Sequence, residues 1–251
     1  MNLTADSQIT PVETREELLY LLTRASELEH DLACAYLYAG YSIKTTLDEG
    51  GVTHDELLAA RSWKRNLAKV AVEEMLHLGQ VANILTAVGG APHFARANFP
   101  LPASAFPFGI EIALEPLSQA LIERFACYEM PQPGVIGPEL MSEYEAIRAR
   151  TAADGERLEL IRQQNAIEPF DIDFKTIGEF YHKIESAFSR IPSERLFIGD
   201  PAAQANPSYL DLPKDLIQVV DAASASVIPR LSARASRASL GESANIQATN
   251  H

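Results

Sequence analysis

The chain has 251 residues, 47% of them hydrophobic, which is enough for one sizeable core without a second full domain. Its 34 acidic against 21 basic residues give a net charge of −13. Such a surface repels phosphate backbones and anionic lipid, which argues against nucleic acid and membrane as partners. No stretch approaches an apolar membrane span, and the N-terminus shows no basic segment followed by an apolar run. Cys34 and Cys127 sit singly inside apolar helical patterns, as buried free thiols of a reducing compartment do. A cytoplasmic location is therefore expected.

Residues 1–9 read as a polar lead-in. Thr10-Pro11-Val12-Glu13 offers a cap, a first-turn proline and an acidic residue, predicting a first helix over 11–46, with Thr14 as a competing cap one turn later. Leu18, Leu22, Ala25, Leu32 and Tyr36 form its apolar stripe, and Glu29 falls in the middle of that stripe. A carboxylate there costs several kcal/mol unless it is paired or metal-bound.

Thr53 and Glu56 make a capping box that opens a second helix over 53–88. Glu74 lies at the centre of its apolar face, with His77 one turn on. Glu-x-x-His on a helix aims a carboxylate and an imidazole at one spot. That serves either as half of a metal site or as a buried hydrogen-bonded pair.

The proline-rich stretch 91–115 carries no helical periodicity, extended at most over Ile110–Leu114, and reads as the long crossover of a four-helix bundle. A third helix is expected over 116–129, with Glu129 at the edge of its stripe and Glu123 nearly opposite. Polar helices over 139–150 and 155–167 decorate the bundle. A fourth helix, 174–190, holds a second Glu-x-x-His, Glu179 and His182. Its apolar stripe is Phe174, Ile177, Tyr181, Ile184 and Phe188, and Glu179 projects away from it. Either this helix buries two faces or the second motif is a coincidence. A last helix is expected over 214–231, interrupted by Pro229, then a flexible tail over 232–251, which leaves one domain over 1–231.

The candidate ligands thus run Glu29, Glu74 and His77, Glu129, then Glu179 and His182. This order, Glu, Glu-x-x-His, Glu, Glu-x-x-His, is that of carboxylate-bridged di-iron and di-manganese bundles. Glu129 could equally be a helix-end residue meeting solvent. A single metal held by Glu29, Glu74 and His77 is a simpler alternative. His30, His54, His93 and His251 read as solvated or structural, and Tyr36 and Tyr181 as core aromatics.

Leu28-Glu29-His30, the stretch VEEMLH followed by ANILTAVGG, EPLS, Tyr128-Glu129-Met130-Pro131 and TIGEFYHKI together resemble the ferritin-like domain of iminophenyl-pyruvate dimer synthases. The resemblance spans roughly residues 15–190. It implies an all-α, ferritin-like four-helix bundle with a long crossover and additional short helices. It also implies metal ligation by Glu29, Glu74, His77 and Glu129, and less about Glu179 and His182. The expected cofactor is iron, as a di-iron centre, with manganese or a single metal as alternatives. The expected activity is that of a metal-dependent oxidase or oxygenase-type protein acting on a small organic substrate, such as an imine or amino-acid-derived compound, with dioxygen or peroxide. The alternative is a non-catalytic metal-binding or protein-interaction bundle. A homodimer is left open.

Overall fold

A computed structural model describes residues 10–101, 105–106, 109–130, 138–152, 170, 174–207 and 216–226. The expectations for 1–9, for a helix over 155–167, for His251 and for the tail over 232–251 lie outside the described residues. Seven α-helices order the described chain: α1 (Arg15–Tyr41), α2 (His54–Ala87), α3 (Gln119–Tyr128), α4 (Pro138–Ala152), α5 (Ile177–Arg190), α6 (Ser193–Leu196) and α7 (Ala222–Ala225). Helices α1 and α2 pack along their length, α5 lies against α1, and α4 meets α3.

The first helix starts at Arg15, not at residue 11, because the Thr14 side chain accepts the Glu17 N–H. An N-cap of this kind is worth about 1 kcal/mol. It ends at Tyr41 rather than residue 46; Ser42 closes it, and a single 3-10 turn, Leu47–Glu49, leads on. The second helix runs close to the expected bounds. The Thr53 and Glu56 capping box is present at its start. At its end Gly90 N–H bonds Leu85 O and Gly89 N–H bonds Thr86 O, with Gly89 at a φ of 74°. This paired closure needs a left-handed residue after the cap, which glycine adopts without strain. Arg15 donates to Val88 O and Gly89 O, adding a cation where the helix dipole is negative.

Helices α3 and α5 begin three residues later than expected, since Ser118 and Thr176 are their caps. The crossover between α2 and α3 stays non-helical and forms one antiparallel bridge, Leu101 with Ile112. Ile110 and Ile112 are buried there and join the core. The helix expected over 214–231 is reduced, among the described residues, to the short α7. Ala205 and Ile217 are instead held to α2 by side-chain amides: Asn83 donates to Ala205 O and Ile217 O and accepts from Ala205 N–H, and Gln80 accepts from Ile217 N–H.

The core runs through Leu18, Leu21, Leu22, Ala25, Leu28 and Leu32 on α1, Val81, Ile84, Leu85 and Val88 at the end of α2, Leu121 and Phe125 on α3, and Phe180, Tyr181, Ile184 and Phe188 on α5. Each fully buried Leu or Phe side chain contributes about 1.5–3 kcal/mol. Asp31 works against this core. It is fully buried on α1, and neither carboxylate oxygen accepts a hydrogen bond, though Arg96 Nη1 lies 3.9 Å away. Burial pushes its carboxyl up to about 7, with the Arg96 charge opposing.

A carboxyl raised from an unfolded value of about 3.9 adds stability at low pH and loses it as pH rises through the folded value. Asp31→Asn has no such charge to bury. Its melting temperature relative to wild type should therefore rise by several degrees between pH 4.5 and pH 8. Thermal unfolding at both pH values checks this; a pH-independent difference contradicts it.

Candidate metal centre

Glu29 and Tyr36 lie two turns apart on α1, on the side of the helix that carries Ala25, Leu28 and Leu32 into the core. Glu74 and His77 lie one turn apart on α2, at the start of that helix's most buried portion. The helix pair brings them together. His77 Nδ1 is 3.2 Å from Glu74 Oε2 and 3.3 Å from Glu29 Oε2. All three side chains are buried, and each offers a ligand atom within 4.8 Å of the others.

Glu129 joins from α3. It is the C-cap residue, yet it is buried, with 8% of its surface exposed, so it does not meet solvent as a helix-end residue commonly would. Its Oε1 accepts a 2.8 Å hydrogen bond from Tyr36 OH. From α5, the Tyr181 hydroxyl donates to Glu29 Oε1.

The electrostatics show three carboxylates in one dry space. Burial, then the charge of Glu29, pushes Glu74 up to about 8. Burial, then the charge of Glu74, pushes Glu129 up to about 8, with the Tyr36 hydrogen bond opposing. For His77 burial disfavours the imidazolium, but Glu29 and Glu74 outweigh it and raise its pKa well above the usual value. Without a cation, the site holds protons to limit its own repulsion.

This donor set fits a metal ion. A ring nitrogen and three carboxylates are ligands for iron or manganese. His77 has one Nδ1, donated in this arrangement to Glu74, and Glu29 Oε2 is left as a buried oxygen without a hydrogen bond. A buried orphaned acceptor beside two acidic groups is a place for positive charge.

The second Glu-x-x-His is not brought to this cluster. Glu179 is buried, but it sits three residues after the Thr176 cap and its Oε2 accepts the Lys175 N–H. His182 is on the surface, with 53% of its side chain exposed, 3.6 Å from Glu185. The fourth-helix contribution to the centre is Tyr181 instead. His30 bonds Phe94 O on the crossover, away from the carboxylates, and His93 lies 3.3 Å from Glu27.

Sequence reasoning missed the role of the two phenols. Tyr36 follows Glu29 by seven residues, two helical turns, which was a readable signal. Tyr181 lies in the apolar stripe and, with Gly178, at the centre of the fourth-helix pattern of the family that the sequence resembles, but neither tells which atom its hydroxyl meets.

An antiparallel helical bundle with a buried carboxylate and histidine centre between its helices defines the ferritin-like class. The chain belongs to that family: the family model described as Ferritin-like matches residues 22–229. It is 33% identical over 156 residues to the 2-imino-3-(indol-3-yl)propanoate dimerase of Chromobacterium violaceum, a match covering 55% of this chain and 15% of that protein. It is 26% identical over 227 residues to the dichlorochromopyrrolate synthase of Lentzea aerocolonigenes, covering 80% of this chain and 20% of that protein. The chain thus spans only a small part of the length of these relatives. A solved ferritin-like protein from Caulobacter vibrioides superposes with a TM-score of 0.54 at 18% identity, over 90% of this chain and 69% of that one, a likeness of fold. No helix among the described residues is long and apolar enough to cross a membrane.

Metal ligation requires Glu74, Glu129 and His77 without their protons, so binding releases protons. Because these pKa values are raised, the metal-free protein loses stability as pH rises through about 8. The increase in melting temperature caused by manganous ion should therefore be larger at pH 8 than at pH 6. A thermal-shift series across that range checks the sign; a larger increase at pH 6 contradicts it.

Proposed function

We propose that this chain is a metal-dependent oxidase or oxygenase-type protein, with iron as the expected metal, acting on a small organic substrate. The observation that carries the reading is the buried group of Glu29, Glu74 and His77, with Glu129 alongside. An imine or other amino-acid-derived compound is the favoured substrate class. The names of the two relatives support it: one is a dimerase of an imino acid and the other a chromopyrrolate synthase.

Glu29, Glu74, His77 and Glu129 would hold the metal. Bound iron or manganese supplies one-electron chemistry toward dioxygen or peroxide. The chain's own part is to set the charge and the solvent. Three carboxylates offset two or more positive charges in a site that water does not reach freely. The charge of Glu29 acts on Glu74 and that of Glu74 on Glu129, so the three carboxylates feel one another's fields. His77 adds the one nitrogen of the set, and its Nδ1 faces the Glu29 and Glu74 side. Leu28, Leu32, Phe125 and Tyr128 add apolar bulk to the surrounding core and keep the field of each charge unscreened.

Metal analysis of purified protein after reconstitution with ferrous ion tests the reading. Wild type and His182→Ala should bind one to two ions per chain, and Glu74→Ala and His77→Ala should lose most of that metal. Equal metal in all four proteins, or none in wild type, removes the proposal. A protein that binds metal but never consumes oxygen with imines or amino acids belongs to the alternative reading, a non-catalytic metal-binding bundle.

A further inference from the structure

Two buried phenols donate to different carboxylates of the cluster. Tyr181 on α5 is 2% exposed, and its hydroxyl donates to Glu29 Oε1. Tyr36 on α1 is 3% exposed and donates to Glu129 Oε1 at 2.8 Å. Both rings are fixed by aromatic packing. Tyr181 lies against Phe180, with ring centroids 5.5 Å apart, and Tyr36 against Phe125, 4.2 Å apart. Neither phenol can follow its carboxylate if the carboxylate turns.

A carboxylate has two oxygens and, when both are free, moves readily between one-oxygen and two-oxygen ligation of a cation. A phenol donor held on one oxygen removes that freedom. On Glu29 the oxygen left over is Oε2, the one 3.3 Å from His77 Nδ1 and without a hydrogen bond. Tyr181 comes from the helix that was expected to add a carboxylate and an imidazole. On α5 Glu179 is bound to its own helix start and His182 is on the surface, so the side chain reaching the cluster from this helix is Tyr181.

We propose that Tyr181 and Tyr36 are positioning residues for the metal, each holding one oxygen of a flanking carboxylate so that Glu29 and Glu129 present a single oxygen to the centre. This rests on the metal-binding reading above and adds to it a rule for how two of the ligands bind. His77 Nδ1, the one nitrogen of the set, lies 3.3 Å from Glu29 Oε2, while each of the two carboxylates carries its own phenol. Outer partners of metal ligands typically govern affinity by about 10- to 100-fold.

Cobaltous ion is a suitable probe, because its visible absorption reports coordination number. Wild type, Tyr181→Phe, Tyr36→Phe and His182→Ala are titrated with it, and the melting temperature of each metal-free protein is measured. The phenylalanine variants keep the rings and lose only the hydroxyls. The expected result is about 10-fold or weaker binding in each, with an altered visible spectrum. The melting temperature of the metal-free protein should stay near wild type, and His182→Ala should match wild type in everything. Phenylalanine variants with wild-type affinity and spectrum overturn the tyrosine assignment alone. A wild-type protein that takes up no cobalt overturns the metal reading, and this proposal with it. Weaker binding with an unchanged spectrum, accompanied by a lowered metal-free melting temperature, assigns the hydroxyls to general packing and also overturns the proposal. If one phenylalanine variant does not fold, the other decides the same question for its own carboxylate.

Discussion

Mutual repulsion among Glu29, Glu74 and Glu129 is the constraint on which the rest of the structure depends. Two like charges about 4 Å apart repel by on the order of 4 kcal/mol at the effective dielectric of a protein surface, and by more in a dry core. The chain buries three such groups with one imidazole. It can do so because α1 and α2 are long, capped at their starts and packed along their length. The Arg15 bonds to the end of α2 and the amide bonds of Gln80 and Asn83 to residues 205 and 217 hold that helix in place. Protons on Glu74, Glu129 and His77 relieve the repulsion in the metal-free protein, and a cation would relieve it more fully.

The same residues illustrate a trade between stability and function. Asp31, two residues from Glu29, is buried without a hydrogen bond, so α1 carries two buried acidic groups on different faces. A helix selected for stability alone would not carry them. Glu29 has a role in the proposed metal centre. Asp31 has Arg96 as a distant partner and no role that the structure reveals.

Much of this architecture was legible in the sequence because helical phase is a strong signal. Glu29 sits mid-stripe, and Glu74 sits mid-face, so periodicity alone placed them in one core. Glu129 was harder. It lies at the helix edge, and its burial depends on how α3 meets α1 through Tyr36, which no local pattern encodes. Glu179 and His182 show how one motif admits two readings. Thr176-Ile177-Gly178-Glu179 is also a Thr-x-x-Glu capping pattern, like Thr53 to Glu56 on α2. A glutamate in the first turn of a helix is drawn back to the free N–H groups there, and here it accepts from Lys175 N–H. His182 then faces solvent, in keeping with an apolar stripe that already pointed the other way. The partners of the two phenols were hidden for a different reason. A tyrosine in an apolar stripe reads as packing, and only the fold shows where its hydroxyl ends.

Anomalous X-ray scattering from crystals grown with manganous or ferrous ion tests the central claim most directly. The expected result is a peak between Glu29, Glu74 and His77, with any second peak on the Glu129 side. A peak at Glu179 and His182, or an empty carboxylate cluster under saturating metal, would contradict it.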